Sequence, residues 1–199
     1  MFNKIKSKHI FFLPIIITAI GVFILYRFLS QNFINTYYIV KTALLTGKFI
    51  VPASFNLKYL ILFSGLILMS FTDMLFERIS TIIPIILIIA GFLFAYFTGT
   101  HLLIVLESAV IGLGIFIFMD ITKLGSYAFG DILTAGAIGA YVGIENIVII
   151  SISAIILGKI ITYLMAKIDG ICDKSKLKEF NMAFVPVLFL VTAVIKIIR

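Results

Sequence analysis

Seven apolar runs, near residues 10–28, 57–75, 79–98, 101–121, 131–143, 145–166 and 182–198, leave this chain of 199 residues little choice of environment. Runs of about 17 to 25 apolar residues are long enough to cross the hydrocarbon core of a bilayer as helices. Only the fifth is clearly shorter. Lipid offers no water to unpaired backbone groups, so only helices and closed barrels span it, and continuous Ile, Leu and Phe runs lack the alternation of a barrel strand. With 62% of residues hydrophobic and 13% charged, the chain also lies outside the range of soluble globular domains. The expected fold is therefore all-α: a polytopic transmembrane helical bundle of about seven helices. Residues 1–56 are expected to form an N-terminal transmembrane helix plus a linker or interfacial segment, and residues 57–199 a six-helix membrane core.

The net charge of +7 reads as topology. Lys4, Lys6 and Lys8 precede the first run, Arg78 follows the second, Lys123 the fourth, and Lys167, Lys174, Lys176 and Lys178 the sixth. If the helices alternate, all of these face the cytoplasm, as basic flanks of membrane helices do. The turns at 99–101 and 143–146 and the C-terminus then lie outside, with Lys196 and Arg199 as exceptions. Segment 29–56 would also lie outside yet carries Lys41 and Lys48, so an external loop, an interfacial helix and a re-entrant piece stay open for it. The basic residues form no aromatic-interleaved patch, so nucleic acid is not an expected partner. The basic start and the apolar run from Ile10 to Tyr26 are like a signal peptide, but no small-residue cleavage site follows, and an uncleaved helix is expected. Cys172 is the single cysteine, which leaves no internal disulfide, CxxC site or four-cysteine zinc module. Two isolated histidines, His9 and His101, make no metal site, and no metal or organic cofactor is expected.

Against this background Asp73 and Asp131 stand out, each at the edge of a long apolar run. A carboxylate at membrane depth is costly and usually faces a protein interior or a wet cavity. Two facing carboxylates cannot both ionise cheaply and tend to share a proton, which supplies an acid and a base together. Asp73 lies in S-F-T-D-M-L-F-E-R, just before a polar turn with Glu77 and Arg78, and can also be read as an interfacial acid beside Arg78. Asp131 follows Gly125, Ser126 and Gly130, and can also be read as a helix N-cap. Gly130, Gly136, Gly139 and Gly143 give the fifth run a lean face on which a neighbouring backbone can approach closely, and Gly130 leaves room beside the carboxylate. Two crossings separate the aspartates, so alternation puts both on one side of the membrane. Glu107 and Lys159 lie mid-run; Glu107 is expected to face the bundle, and Lys159 to snorkel or pair with an acid. The 20 Phe and 8 Tyr are expected to face lipid and its interfaces.

The string A-F-G-D-I-L-T-A-G-A-I-G-A-Y-V-G from Ala128 resembles the G-x-G-D region of the type IV prepilin peptidases, with Gly130, Asp131, Ala137, Gly139, Ala140 and Gly143 in register. Ile79 stands six residues after Asp73, as the family has an isoleucine six after its first catalytic aspartate, and Phe184, Pro186 and Leu188 match its final-helix motif. The resemblance covers roughly 57–199 and departs at Ala128, Ser80, Thr81, Leu133, Ala183 and Val185. It implies an aspartic endopeptidase of the prepilin or preflagellin peptidase kind, in a peptidase-only form without the cysteine-rich methylation domain. It further implies Asp73 and Asp131 as catalytic residues, with Gly130, Ile79, Pro186, Phe184 and Glu77 supporting the site or the substrate. The expected partners are the lipid bilayer and prepilin-like or preflagellin-like precursors whose short basic leader is cut at the cytoplasmic edge of the inner or plasma membrane; the oligomeric state is left open. A presenilin-like or signal-peptide-peptidase-like intramembrane protease, with Pro186-Val187-Leu188 echoing its motif, is one alternative. A transporter lined by Asp73, Asp131, Glu107 and Lys159 and a catalytically silent scaffold of a secretion machine are two others.

Overall fold

Six helices with defined ends carry most of the described residues, and each coincides with one of the expected runs. The computed structural model describes residues 57–76, 80–122, 125, 127–168 and 183–198, with Ile16, Ala19, Ile20, Val22, Phe23, Tyr26 and Ser30, all helical, in and just after the first run. Glu77, Ile79, Cys172 and segment 29–56 apart from Ser30 lie outside the described residues. The helices are α1 (Leu57–Phe76), α2 (Ile82–Thr98), α3 (Leu102–Ile121), α4 (Phe129–Val142), α5 (Ile144–Ile168) and α6 (Val185–Ile198).

Local chemistry sets the ends. Pro84 sits in the first turn of α2, and Pro186 is the second residue of α6. Both lie where a missing N–H costs no intrahelical bond. Gly99 ends α2 in the left-handed conformation, φ 70°, with its N–H donating to the Tyr96 carbonyl at 3.3 Å and that of Thr100 to Ala95 at 2.9 Å. These are the two bonds of a Schellman cap. A Cβ on Gly99 would meet no atom within 4 Å, so Gly99→Ala tests backbone conformation alone. It is expected to cost about 1 kcal/mol in a thermal melt, since an L side chain resists the left-handed region by roughly that much. Gly143, at φ 85°, separates α4 from α5 and ends the fifth run one residue earlier than expected.

The outside of the bundle is as apolar as its inside. Ile82, Leu93, Phe97, Leu103, Phe118 and Ile156 are exposed large hydrophobics, and helices that are apolar all round are what a lipid environment calls for. Leu102–Ile121 and Ile144–Met165 are long and apolar enough to cross a membrane. The architecture is a helical membrane bundle.

Helix α4 runs through its centre. It touches all five other helices, and every residue from Gly130 to Val142 is buried except Leu133. At 14 residues it is about 21 Å long, shorter than the hydrocarbon core, which a helix shielded from lipid tolerates. Its glycine face meets α3. A Cβ on Gly139 would fall against the Ser108 carbonyl, one on Gly136 at 2.7 Å from the Leu113 side chain, and one on Gly112 of α3 at 2.5 Å from the Ala135 carbonyl. The lean face expected of this run is thus present, and the neighbour it admits is α3.

Two expectations fail. Glu107 is exposed on the outer side of α3, because Val105, Ser108, Ala109, Gly112 and Phe116 occupy the inward face. The aromatics do not all face lipid: Phe116, Tyr141, Phe184 and Phe189 are buried. Lys159 is exposed on α5, as a snorkelling lysine would be.

Candidate active site

Asp73 lies in the last turn of α1, buried, with the start of α6 beside it. The N–H of Val185, the first residue of α6, donates to Asp73 Oδ2 at 3.2 Å. Bonds from an amide to a charged acceptor contribute about 1.5 to 3 kcal/mol, and the N-terminus of a helix favours a carboxylate further through its dipole. Burial and this bond distinguish Asp73 from a solvated interfacial acid.

Asp131 is the third residue of α4 and also buried. Its Oδ2 accepts the Ala128 N–H at 3.0 Å. This is the return half of a capping box; Ala128, which stands at the cap, has no side-chain oxygen for the other half. The N-cap reading of Asp131 is therefore corrected: Phe129 and Gly130 already belong to the helix, and the carboxylate reaches back over them. Asp131 Oδ1 is buried and has no hydrogen-bond partner among the described residues. A buried acceptor without a partner costs about 1 to 3 kcal/mol, so such an oxygen is unusual unless it has a role.

The two carboxylates lie at the same end of the bundle, within electrostatic reach of each other. Their helices are joined one turn deeper, where Thr134 Oγ1 donates to the Gly130 carbonyl at 2.7 Å and lies 3.7 Å from Met69 Sδ. Ser70, one turn before Asp73, is fully buried with its Oγ unpartnered among the described residues. A carboxylate pair with a free oxygen can bind and deprotonate a water while the partner donates a proton.

The other sequence-selected residues divide into three groups. Gly130 is buried next to Asp131, and its carbonyl is occupied by Thr134. Phe184 and Pro186 flank the Val185 amide, both buried. Glu77 and Ile79 lie outside the described residues. Sequence reasoning did not single out the amides of Val185 and Ala128, nor Ser70, Tyr127 and Phe116. Backbone amides carry no residue-type signal; Pro186, which marks a helix start, was the available hint for Val185.

A family model described as the type IV leader peptidase family matches residues 60–163. That span includes both aspartates and excludes α6. No curated protein matches the chain, and no solved structure does.

Proposed function

The chain belongs to the type IV leader peptidase family, and from that premise we propose that it is a membrane aspartic endopeptidase with Asp73 and Asp131 as its catalytic pair. The observation that carries this reading is the pairing itself: two buried carboxylates at one end of an apolar bundle, each held by the amide of a helix-start residue, with Asp131 Oδ1 left unpartnered among the described residues. One carboxylate takes a proton from a water as it attacks the scissile carbonyl. The other, protonated, polarises the carbonyl oxygen and the leaving amine then collects a proton. The pair titrates as a unit, so the two roles belong to the pair.

The substrates of this reading are prepilin-like or preflagellin-like precursors, with a short basic leader followed by an apolar helix. The apolar helix would lie along the bundle in the bilayer, and the leader would stay in the cytoplasm, bringing their junction to the aspartates. Glu77, together with Asp120, exposed in the last turn of α3, would offer negative charge to the leader, and the enzyme would sit in the inner or plasma membrane with its site facing the cytoplasm. Mapping the cut by mass spectrometry tests this: purified protein in lipid should cut a model precursor at the leader–helix junction. A cut inside the apolar helix would instead assign a presenilin-like specificity, and ion flux in liposomes without any cut would favour a transporter.

The Val185 amide gives a sharper prediction. Proline is well accommodated at the first position of a helix, but its Cδ would stand where the Val185 N–H meets Asp73 Oδ2, so Val185→Pro both removes the bond and pushes the carboxylate aside. Cleavage should fall at least about 10-fold in kcat, with KM little changed and the melting temperature lowered by the lost bond. An unaltered kcat would show that the amide does not tune the catalytic carboxylate.

A further inference from the structure

Each catalytic carboxylate is held by the amide of a residue that directly follows an aromatic one. Val185, the donor to Asp73, follows Phe184; Ala128, the donor to Asp131, follows Tyr127. The two preceding rings meet: Tyr127 and Phe184 pack edge to face with centroids 5.1 Å apart. Both also pack on Phe116 of α3, at 4.9 Å and 5.7 Å, and Phe116 is fully buried.

We propose that Tyr127, Phe184 and Phe116 form an aromatic clasp that sets the separation of the Asp73 and Asp131 carboxylates, which makes Tyr127 and Phe184 positioning residues. The inference rests on the dyad reading above and adds to it the part that fixes the dyad's geometry.

Three observations support the clasp. First, the rings join the segments that lead into α4 and α6, whose amides address different carboxylates. Second, the clasp is anchored on both sides. Phe116 belongs to α3, while Gly158 of α5 makes room for Phe184, whose Cε2 would lie 2.7 Å from a Cβ at that position. Gly125 does the same for Tyr127, whose ring edge a Cβ at 125 would strike. Third, Tyr127 lies within electrostatic reach of Asp131, and burial together with that charge pushes its phenol above the ordinary value. Edge-to-face rings have a preferred offset and angle, which a cluster of aliphatic side chains lacks. Catalytic groups need placement to within about 0.5 Å, and a misplacement of about 1 Å can cost roughly 100-fold in rate.

The test uses the full chain in lipid, a precursor with a basic leader, and the variants Tyr127→Leu, Phe184→Leu and Tyr127→Phe. The two leucine variants should lower kcat by about 100-fold with KM within about threefold of wild type. Their pH–rate profiles should narrow, because carboxylates held further apart couple less and their two titration steps draw together. Tyr127→Phe keeps the ring and should recover most of the rate. A rate loss in Tyr127→Phe as deep as in Tyr127→Leu would move the role from the ring to the hydroxyl and overturn the clasp, as would leucine variants that lower melting temperature but leave kcat and the profile intact.

Failure of the dyad reading would look different: the wild type would cut nothing, or Asp73→Asn and Asp131→Asn would cut normally. The clasp is then read without substrate, from the yield of a short bifunctional thiol cross-linker in D73C/D131C on a C172S background. The yield should change when Tyr127→Leu or Phe184→Leu is added, and an unchanged yield would overturn the clasp.

Discussion

Replacing either Asp73 or Asp131 with asparagine should reduce precursor cleavage at least ~10³-fold while leaving the bundle folded. Asparagine keeps the shape of the side chain and one carbonyl oxygen. In Asp131→Asn that oxygen still accepts the Ala128 N–H, and in Asp73→Asn it still accepts the Val185 N–H, so helix starts and packing survive. What disappears is the proton traffic: an amide neither takes a proton from water nor gives one to the leaving amine. Because the carboxylates act together, the double variant should be no worse than the worse single one, as for other catalytic groups that work as a unit. The wild-type rate should decline on both flanks of its pH profile. In acid both carboxyls are protonated and the base is lost; in alkali both are charged and the acid is lost. Cleavage by a well-folded Asp131→Asn at more than about a tenth of the wild-type rate would sink the dyad.

How far this arrangement could be read from residues alone differs from element to element. The six described helices were legible because lipid demands apolar residues on every exposed face, and that demand produces long uninterrupted runs. The same property hid the inward faces. With Leu103, Leu106 and Val110 on its outer side, α3 is nearly as apolar outside as inside, so Glu107 could not be oriented by amphipathicity; the small residues Ser108, Ala109 and Gly112 mark its packed side instead. The apolar run places the start of α4 two residues late because Ala128 and Phe129 carry no cap signal, and Asp131 caps from within the helix. Asp73 and Asp131 were visible as expensive carboxylates, and the family resemblance suggested their partnership. Their supports were not visible: amides look alike in sequence, and a ring contact between Tyr127 and Phe184 depends on long-range packing that no local spacing encodes.

The largest loss of stability from a single small substitution is expected at Gly139. A methyl there would be driven against the Ser108 carbonyl, which belongs to the backbone of α3 and cannot rotate away. Gly112 repeats the problem from the other side, with the Ala135 carbonyl 2.5 Å from where its Cβ would stand. The two helices are therefore in mutual backbone contact, and either substitution must push α3 and α4 apart. Overpacking of this kind costs about 1 to 3 kcal/mol, offset by the roughly 1 kcal/mol that alanine gains over glycine within a helix. Gly139→Ala should thus lose up to about 2 kcal/mol, and Gly139→Val more, because valine adds two methyl groups and no helix preference to match alanine's. Gly114 supplies the comparison: it lies on the same helix as Gly112, but a Cβ there meets nothing within 4 Å, and Gly114→Ala should be neutral or slightly stabilising. Thermal melts of the three variants in one lipid decide the matter. Similar melting points for Gly139→Val and Gly114→Ala would mean that α3 and α4 are not in backbone contact. If the expected order holds, cleavage should fall further than the melting point alone explains, because α4 carries Asp131 and any displacement from α3 shifts that carboxylate relative to Asp73.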